Sequence, residues 1–264
     1  MEYATLLSLC LADGYAVTPG SLWSAWSFAP QAVLPLVGAL ALYIAHAARR
    51  AASPHDAPIP MWRATCFIAG WVLLAAALVS PLCRLAATLV SAHMVQHVLI
   101  VAVAPPLLAL GAPGSALRPG SRPPALLAIT VLYGLGIWLW HFPPAYTLVL
   151  LDGTIHTLAY AALTAVSIVF WTRILRGGVA GDLRCLPALF VTLVHTGLLG
   201  ALLTFSGRAW YPVLAGGARA WGYTPLADQQ LAGLIMWAPM AACYLGAALC
   251  IVAAHLSPAA PVSR

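Results

Sequence analysis

Seven apolar runs, at roughly 30–48, 62–82, 91–111, 125–142, 154–172, 186–205 and 230–252, set the first limit on what this 264-residue chain can become. Several reach the roughly 20 consecutive apolar residues that carry a helix across a ~30 Å hydrocarbon layer, and they are too long for the helices of a soluble core. The charge content gives the same answer. Only 7% of the residues are charged, where soluble domains hold about 25%. With 62% hydrophobic residues and a mean hydropathy of +0.93, such a surface is solvated by lipid rather than water. The expected fold is all-α: a polytopic bundle of about seven transmembrane helices over residues 30–256. An N-terminal interfacial segment (1–29) precedes it and a short tail (257–264) follows.

Proline and glycine mark many of the breaks, at Ser53-Pro54, Gly111-Ala112-Pro113-Gly114, Pro123-Pro124, Pro143-Pro144 and Gly177-Gly178. Prolines inside the runs (Pro35, Pro105, Pro106, Pro239) are compatible with membrane helices whose neighbours satisfy the freed carbonyls. The basic residues are all arginine and set the topology. With the N-terminus outside, the inner loops hold Arg49, Arg50, Arg63, Arg118, Arg122, Arg173, Arg176, Arg184 and Arg264, and the outer loops only Arg84, Arg208 and Arg219. This bias places the N-terminus outside and the C-terminus in the cytoplasm. The net charge of +6 is thus topological, and with no basic stripe interleaved with aromatics nucleic-acid binding is not expected. The six cysteines (10, 66, 83, 185, 243, 250) form no C-x-x-C pair and show no disulfide framework. The apolar first twelve residues lack a basic start and run into Asp13, so a cleaved signal peptide is not expected. Trp138, Trp140, Trp171, Trp210, Trp221 and Trp237 read mostly as interfacial belt residues.

That topology sorts the histidines by depth. His93 and His97 fall in the outer two turns of the third run, His141 at the outer end of the fourth, and His156 in the first turn of the fifth. His195 lies near the middle of the sixth run. In His93-Met94-Val95-Gln96-His97 the imidazoles are four residues apart, hence on one helix face about 5–6 Å from each other. Both can address one metal ion, whereas Met94, next to the pair in sequence, points roughly 100° away on the helix. Without the Glu of H-E-x-x-H, a zinc peptidase is not indicated. Ionisable groups inside spans are functional candidates because burying a polar ring is costly. The competing structural reading is that each ring only hydrogen-bonds a neighbouring helix. Met236, Met240 and Cys243 form an i, i+4, i+7 stripe that offers soft sulfur ligands or plain adaptable packing. Asp228 and Gln229 open the seventh run. A carboxyl group there is a ligand, a partner of one, or a favourable charge at a helix N-terminus. Tyr160, one turn after His156, is placed to hydrogen-bond it.

Ser91-Ala-His-Met-Val-Gln-His97, Ala104-Pro-Pro-Leu-Leu108 with Gly111-Ala112-Pro113, Trp140-His-Phe-Pro143, Gly200-Ala-Leu-Leu-Thr-Phe205 and Asp228-Gln-Gln-Leu-Ala-Gly-Leu-Ile-Met-Trp237 resemble, in order and at family spacing, the CtaG family of bacterial cytochrome c oxidase assembly factors. The likeness runs from about Trp62 to Leu249. It implies a seven-helix protein of the bacterial inner membrane, needed to mature a haem–copper oxidase, whose partners are oxidase subunits during assembly and whose suspected chemistry is copper handling. His93, His97, His141, His156, His195 and Asp228 match positions where the family has the same residues. With Met236 they make up the candidate metal set. Two departures stand out. Cys83 follows Ser80-Pro81-Leu82 where the family usually has Asp, which offers a softer ligand. Tyr160 stands where the family often has a second His.

The reading is therefore an assembly factor that binds copper at its outer face, not a catalyst. Two other classes stay open. A haem-binding redox protein needs axial ligands on opposite sides of the macrocycle, which an i, i+4 pair cannot supply. A small-solute or ion transporter calls for acids near mid-membrane, and none of the six lies there.

Overall fold

The computed structural model describes residues 10, 16–112, 123–179 and 183–256, with the side chains of 123–125 and 176–179 left aside. The tail 257–264, most of the segment before residue 16, and Arg118, Arg122 and Arg264 lie outside the described residues, as does the Arg176 side chain. Among those described, all regular structure is helical. The elements are α1 (Pro30–Ala52), α2 (Met61–Val79), α3 (Pro81–Ala86), α4 (Val90–Val98), α5 (Ala104–Gly111), α6 (Pro123–His141), α7 (Pro143–Leu151), α8 (Gly153–Val179), α9 (Leu186–Phe205), α10 (Ala215–Ala220) and α11 (Pro225–Leu256).

Six stretches are long and apolar enough to cross a bilayer: α1, α2, the continuous Val90–Gly111 unit, α8, α9 and α11. The fourth apolar run forms α6, which ends at the Pro143-Pro144 break and makes a bent pair with the short helix α7 at 76°. Counted as one span, it brings the total to the expected seven. The break falls at Pro143 because proline cannot continue the hydrogen-bond ladder of a preceding helix but suits the first turn of a new one. Pro81 acts in the same way at the end of α2, where the Ser80 hydroxyl caps the new turn by accepting from Leu82 N at 3.3 Å. The second run therefore ends as a separate short helix rather than a straight span to residue 82. Asp152 caps α8, its Oδ1 accepting from Thr154 N (2.8 Å) and Ile155 N (3.0 Å), which puts His156 in the first turn.

The Val90–Gly111 unit is the axis of the bundle, with the largest buried share of any span. It packs on α2, α8 and α11. Glycines permit the closest approaches. A Cβ on Gly111 would lie 2.4 Å from Phe67 N, and one on Gly233 would lie 2.6 Å from Gly200 O across the α9–α11 contact. Such small-residue contacts replace the hydrophobic driving force that lipid removes. Between α4 and α5 the ladder widens into a π segment, Leu99–Val103. Pro105 lacks the N–H that would serve the Val101 carbonyl four residues earlier. That carbonyl instead accepts from Tyr133 Oη (2.9 Å) and Trp171 Nε1 (2.8 Å), and Tyr133 pairs with Tyr244 at 2.8 Å. Trp171 is thus a fully buried strut at 1% exposure, not an interfacial belt residue.

Cysteine pairing also departs from the sequence expectation: Cys10 and Cys83 form a disulfide. It ties the N-terminal segment to α3, where Val17 N also donates to Thr88 Oγ1 (3.0 Å) and Trp221 Nε1 to Val17 O (2.7 Å). Cys83, expected as a soft ligand, is engaged in this bond.

Candidate metal centre

At the end of the bundle where α4 begins, the first turn of α11 fixes its neighbours. Asp228, 1% exposed, reaches across to the N-terminus of α4. Its Oδ2 accepts from Val90 N (2.7 Å) and its Oδ1 from Ser91 N (3.1 Å) and the Ser91 hydroxyl. An uncapped helix N-terminus leaves donors without partners, and a carboxyl group is well suited to satisfy them. Gln229 holds the loop after α9, its Oε1 accepting from Trp210 N at 2.6 Å and its amide donating to Arg208 O at 3.2 Å. Asp228 thereby fixes the start of α4, which carries His93 and His97 one turn apart.

Those two rings lie 6.5 Å apart centre to centre and nearly parallel, and His97 meets His141 edge-on at 4.9 Å. His93, His97 and His141 line a cavity of about 30 Å³ with Tyr146, Tyr160 and Trp140. The volume admits an ion or a water molecule. No Asp or Glu among the described residues lines it. Among the described residues, no three His, Cys, Asp or Glu side chains already sit at ligand spacing around one point.

The ring nitrogens are ordered by their partners. His141 Nδ1 lies 2.7 Å from Ile137 O, and His156 Nδ1 lies 3.2 Å from Val149 O. A carbonyl only accepts, so in each neutral ring Nδ1 carries the proton and Nε2 keeps its lone pair. His93 follows by one further step. The Tyr160 hydroxyl donates its single proton to Gln96 Oε1 at 2.6 Å and therefore accepts from His93 Nδ1 at 3.3 Å. Gln96 is oriented in turn by donating from Nε2 to Ala77 O at 2.7 Å. Three imidazoles thus present Nε2 as a free donor atom, in the way that outer partners fix the tautomer of metal-bound histidines. His156 Nε2 and His97 Nε2 are buried without a hydrogen-bond partner, and His141 Nε2 faces Met94 Sδ at 3.4 Å.

The other expected residues are placed elsewhere. Asp228 spends its oxygens on α4. Met236 is fully buried in the apolar core. His195, its Nδ1 accepting from Trp138 Nε1 at 3.3 Å, lines a separate groove between α6 and α9. Tyr160 stacks on His156, ring centres 4.5 Å apart, rather than hydrogen-bonding it. Sequence reasoning did not single out Gln96 and Tyr146 for the site, and put Met94 about 100° off the histidine face. Met94 nevertheless meets the cluster, because His141 arrives from that other side. The adjacency of Met94 and Gln96 to both histidines in the 93–97 run was the signal available.

Fold and site together define a polytopic helical membrane protein with buried histidines gathered at one end. A family model described as cytochrome c oxidase caa3 assembly factor matches residues 41–257, and the chain belongs to that family of assembly factors. No match is found among curated proteins or solved structures.

Proposed function

We propose that the chain binds one copper ion in the cavity between α4 and α6 and passes it to a cytochrome c oxidase under assembly in a bacterial inner membrane. The observation that carries this is that His93 and His141, whose Nδ1 protons are already committed, line a buried, ion-sized cavity together with His97, whose Nε2 has no hydrogen-bond partner. His93, His97 and His141 are the ligands, with His156 beside them. Metal entry draws rings now 4.9 and 6.5 Å apart onto one centre, to the ~2.0–2.1 Å of a metal–imidazole bond. An uncharged donor set with the Met94 thioether against His141 favours Cu(I) over harder divalent ions. Gln96, Tyr160 and Asp228 position ligands and do not bind metal.

The haem reading is disfavoured by size, since a 30 Å³ cavity is an order of magnitude below the ~300 Å³ and more of sites that bury organic ligands. The arginine bias supports an orientation with this end of the bundle outside the cytoplasm. The Cys10–Cys83 disulfide beside it supports that placement, because disulfides persist in oxidising compartments.

Cells lacking the chain and supplied with His97→Asn provide the test. The variant is expected to insert and accumulate as the parent does while leaving the oxidase without activity. Loss of the variant from the membrane in parallel with oxidase activity would favour a purely structural histidine.

A further inference from the structure

Three lipid-facing grooves of similar size run along the bundle. One of about 420 Å³ is bounded by α5, α8 and α11 and another of about 440 Å³ by α1, α2 and α8. Among the described residues, neither has a charged one in its lining. The third, of about 460 Å³ between α6 and α9, differs in having two cations, Arg173 of α8 and Arg184 of the turn before α9. From these observations we infer that the α6–α9 groove is a binding site for one anionic phospholipid, its acyl chain lying in the groove and its phosphate held by Arg173 and Arg184.

The groove has the two chemistries such a molecule needs, arranged end to end. Leu126, Leu127, Val131, Leu135, Ala188 and Val191 supply an apolar wall. Arg184 lies just before the start of α9 and Arg173 is half-buried near the same end, while Trp138 and His195 close the other end. From Leu126 to Trp138 the helix rises about 18 Å at 1.5 Å per residue, slightly more than half the ~30 Å hydrocarbon thickness. The groove therefore has the depth of a single leaflet. Its cationic end is the one that the arginine bias assigns to the cytoplasm, where anionic lipids meet basic pockets between helices. Guanidinium is the side chain suited to bidentate phosphate contact.

The test uses the full chain in nanodiscs of phosphatidylcholine with increasing cardiolipin or phosphatidylglycerol, with retained lipid counted by native mass spectrometry after gentle release. The parent is expected to hold one anionic phospholipid. At about fivefold per arginine, Arg173→Gln/Arg184→Gln is expected to bind it roughly 30-fold more weakly, while Arg173→Lys/Arg184→Lys, which keeps the charge, loses less than tenfold. Ala188→Phe, which fills the apolar wall and leaves both arginines, is expected to lose the lipid as well. Retention of phosphatidylcholine as strongly as the anionic lipids, or unchanged binding in the Gln double variant, would overturn the proposal. So would displacement of the lipid by millimolar inorganic phosphate, since the site would then recognise the headgroup alone.

Discussion

Replacing Asp228 separates a helix-positioning role from a metal-binding one. In Asp228→Ala, Val90 N and Ser91 N lose their acceptor at a site where the carboxyl group is 1% exposed. Each buried unsatisfied donor costs about 1–3 kcal/mol, so the variant is expected to lose roughly 2–6 kcal/mol. Asp228→Asn keeps one accepting oxygen and sets an NH2 group against the other donor, for an expected loss of about 1–3 kcal/mol. Ser91→Ala removes only the hydroxyl contact and is expected to cost about 1 kcal/mol. Asp152→Ala is a useful reference, since it removes an exposed helix cap worth about 1 kcal/mol. Chemical denaturation in detergent micelles ranks the four variants, and an Asp228→Ala/Ser91→Ala cycle is expected to show a coupling of about 1 kcal/mol because the two side chains share one contact. Copper measured on the same preparations gives the second readout: Asp228→Asn loses stability while keeping its metal stoichiometry. An Asp228→Ala loss no larger than that of Asp152→Ala, additive losses in the cycle, or a stable Asp228→Asn protein without copper would each refute the reasoning.

Gly111→Ala pushes a methyl group to within 2.4 Å of Phe67 N and is expected to cost at least 1–3 kcal/mol of overpacking, read as reduced membrane accumulation. Gly38→Ala, with nothing within 4 Å of the added carbon, is expected to be neutral or to stabilise α1 by up to about 1 kcal/mol. Tyr133→Phe removes a donor to the carbonyl freed by Pro105 and is expected to cost about 1 kcal/mol, since Trp171 still serves that oxygen. Alkylation of the denatured, unreduced chain is expected to modify Cys66, Cys185, Cys243 and Cys250, with Cys10 and Cys83 labelled only after reduction.

The spans were legible in the sequence because lipid imposes one simple demand, a long apolar segment, and the seven runs meet it. Their ends were less legible where proline reset the ladder. The run 62–82 read as one straight span, while Pro81 starts a new helix inside it, and the short helix α7 follows the expected break at Pro143. The convergence of His93, His97 and His141 was readable from the four-residue spacing of the pair plus the arginine-set depth. What spacing leaves open is the azimuth of each helix about its own axis. Met94 therefore seemed to face away from the pair, and the reach of Asp228 to α4 rather than into the cavity depends on tertiary packing alone. Trp171 looked interfacial because tryptophan usually is. Its burial follows from a carbonyl that Pro105 frees seventy residues earlier. The Cys10–Cys83 bond has no local signature, since only the fold brings residues so far apart in sequence together.

Copper binding by the parent protein, His97→Ala, His141→Ala and the double variant, purified without chelators and titrated at one pH, tests the central claim most directly. Ligands to one ion act as a unit, so their losses do not add, and the pH is held because imidazole must be neutral to bind. The account predicts one high-affinity copper per chain, loss of most of that affinity in either single variant, and little further loss in the double. Additive losses from the two substitutions, or a parent protein that binds no copper, would contradict it.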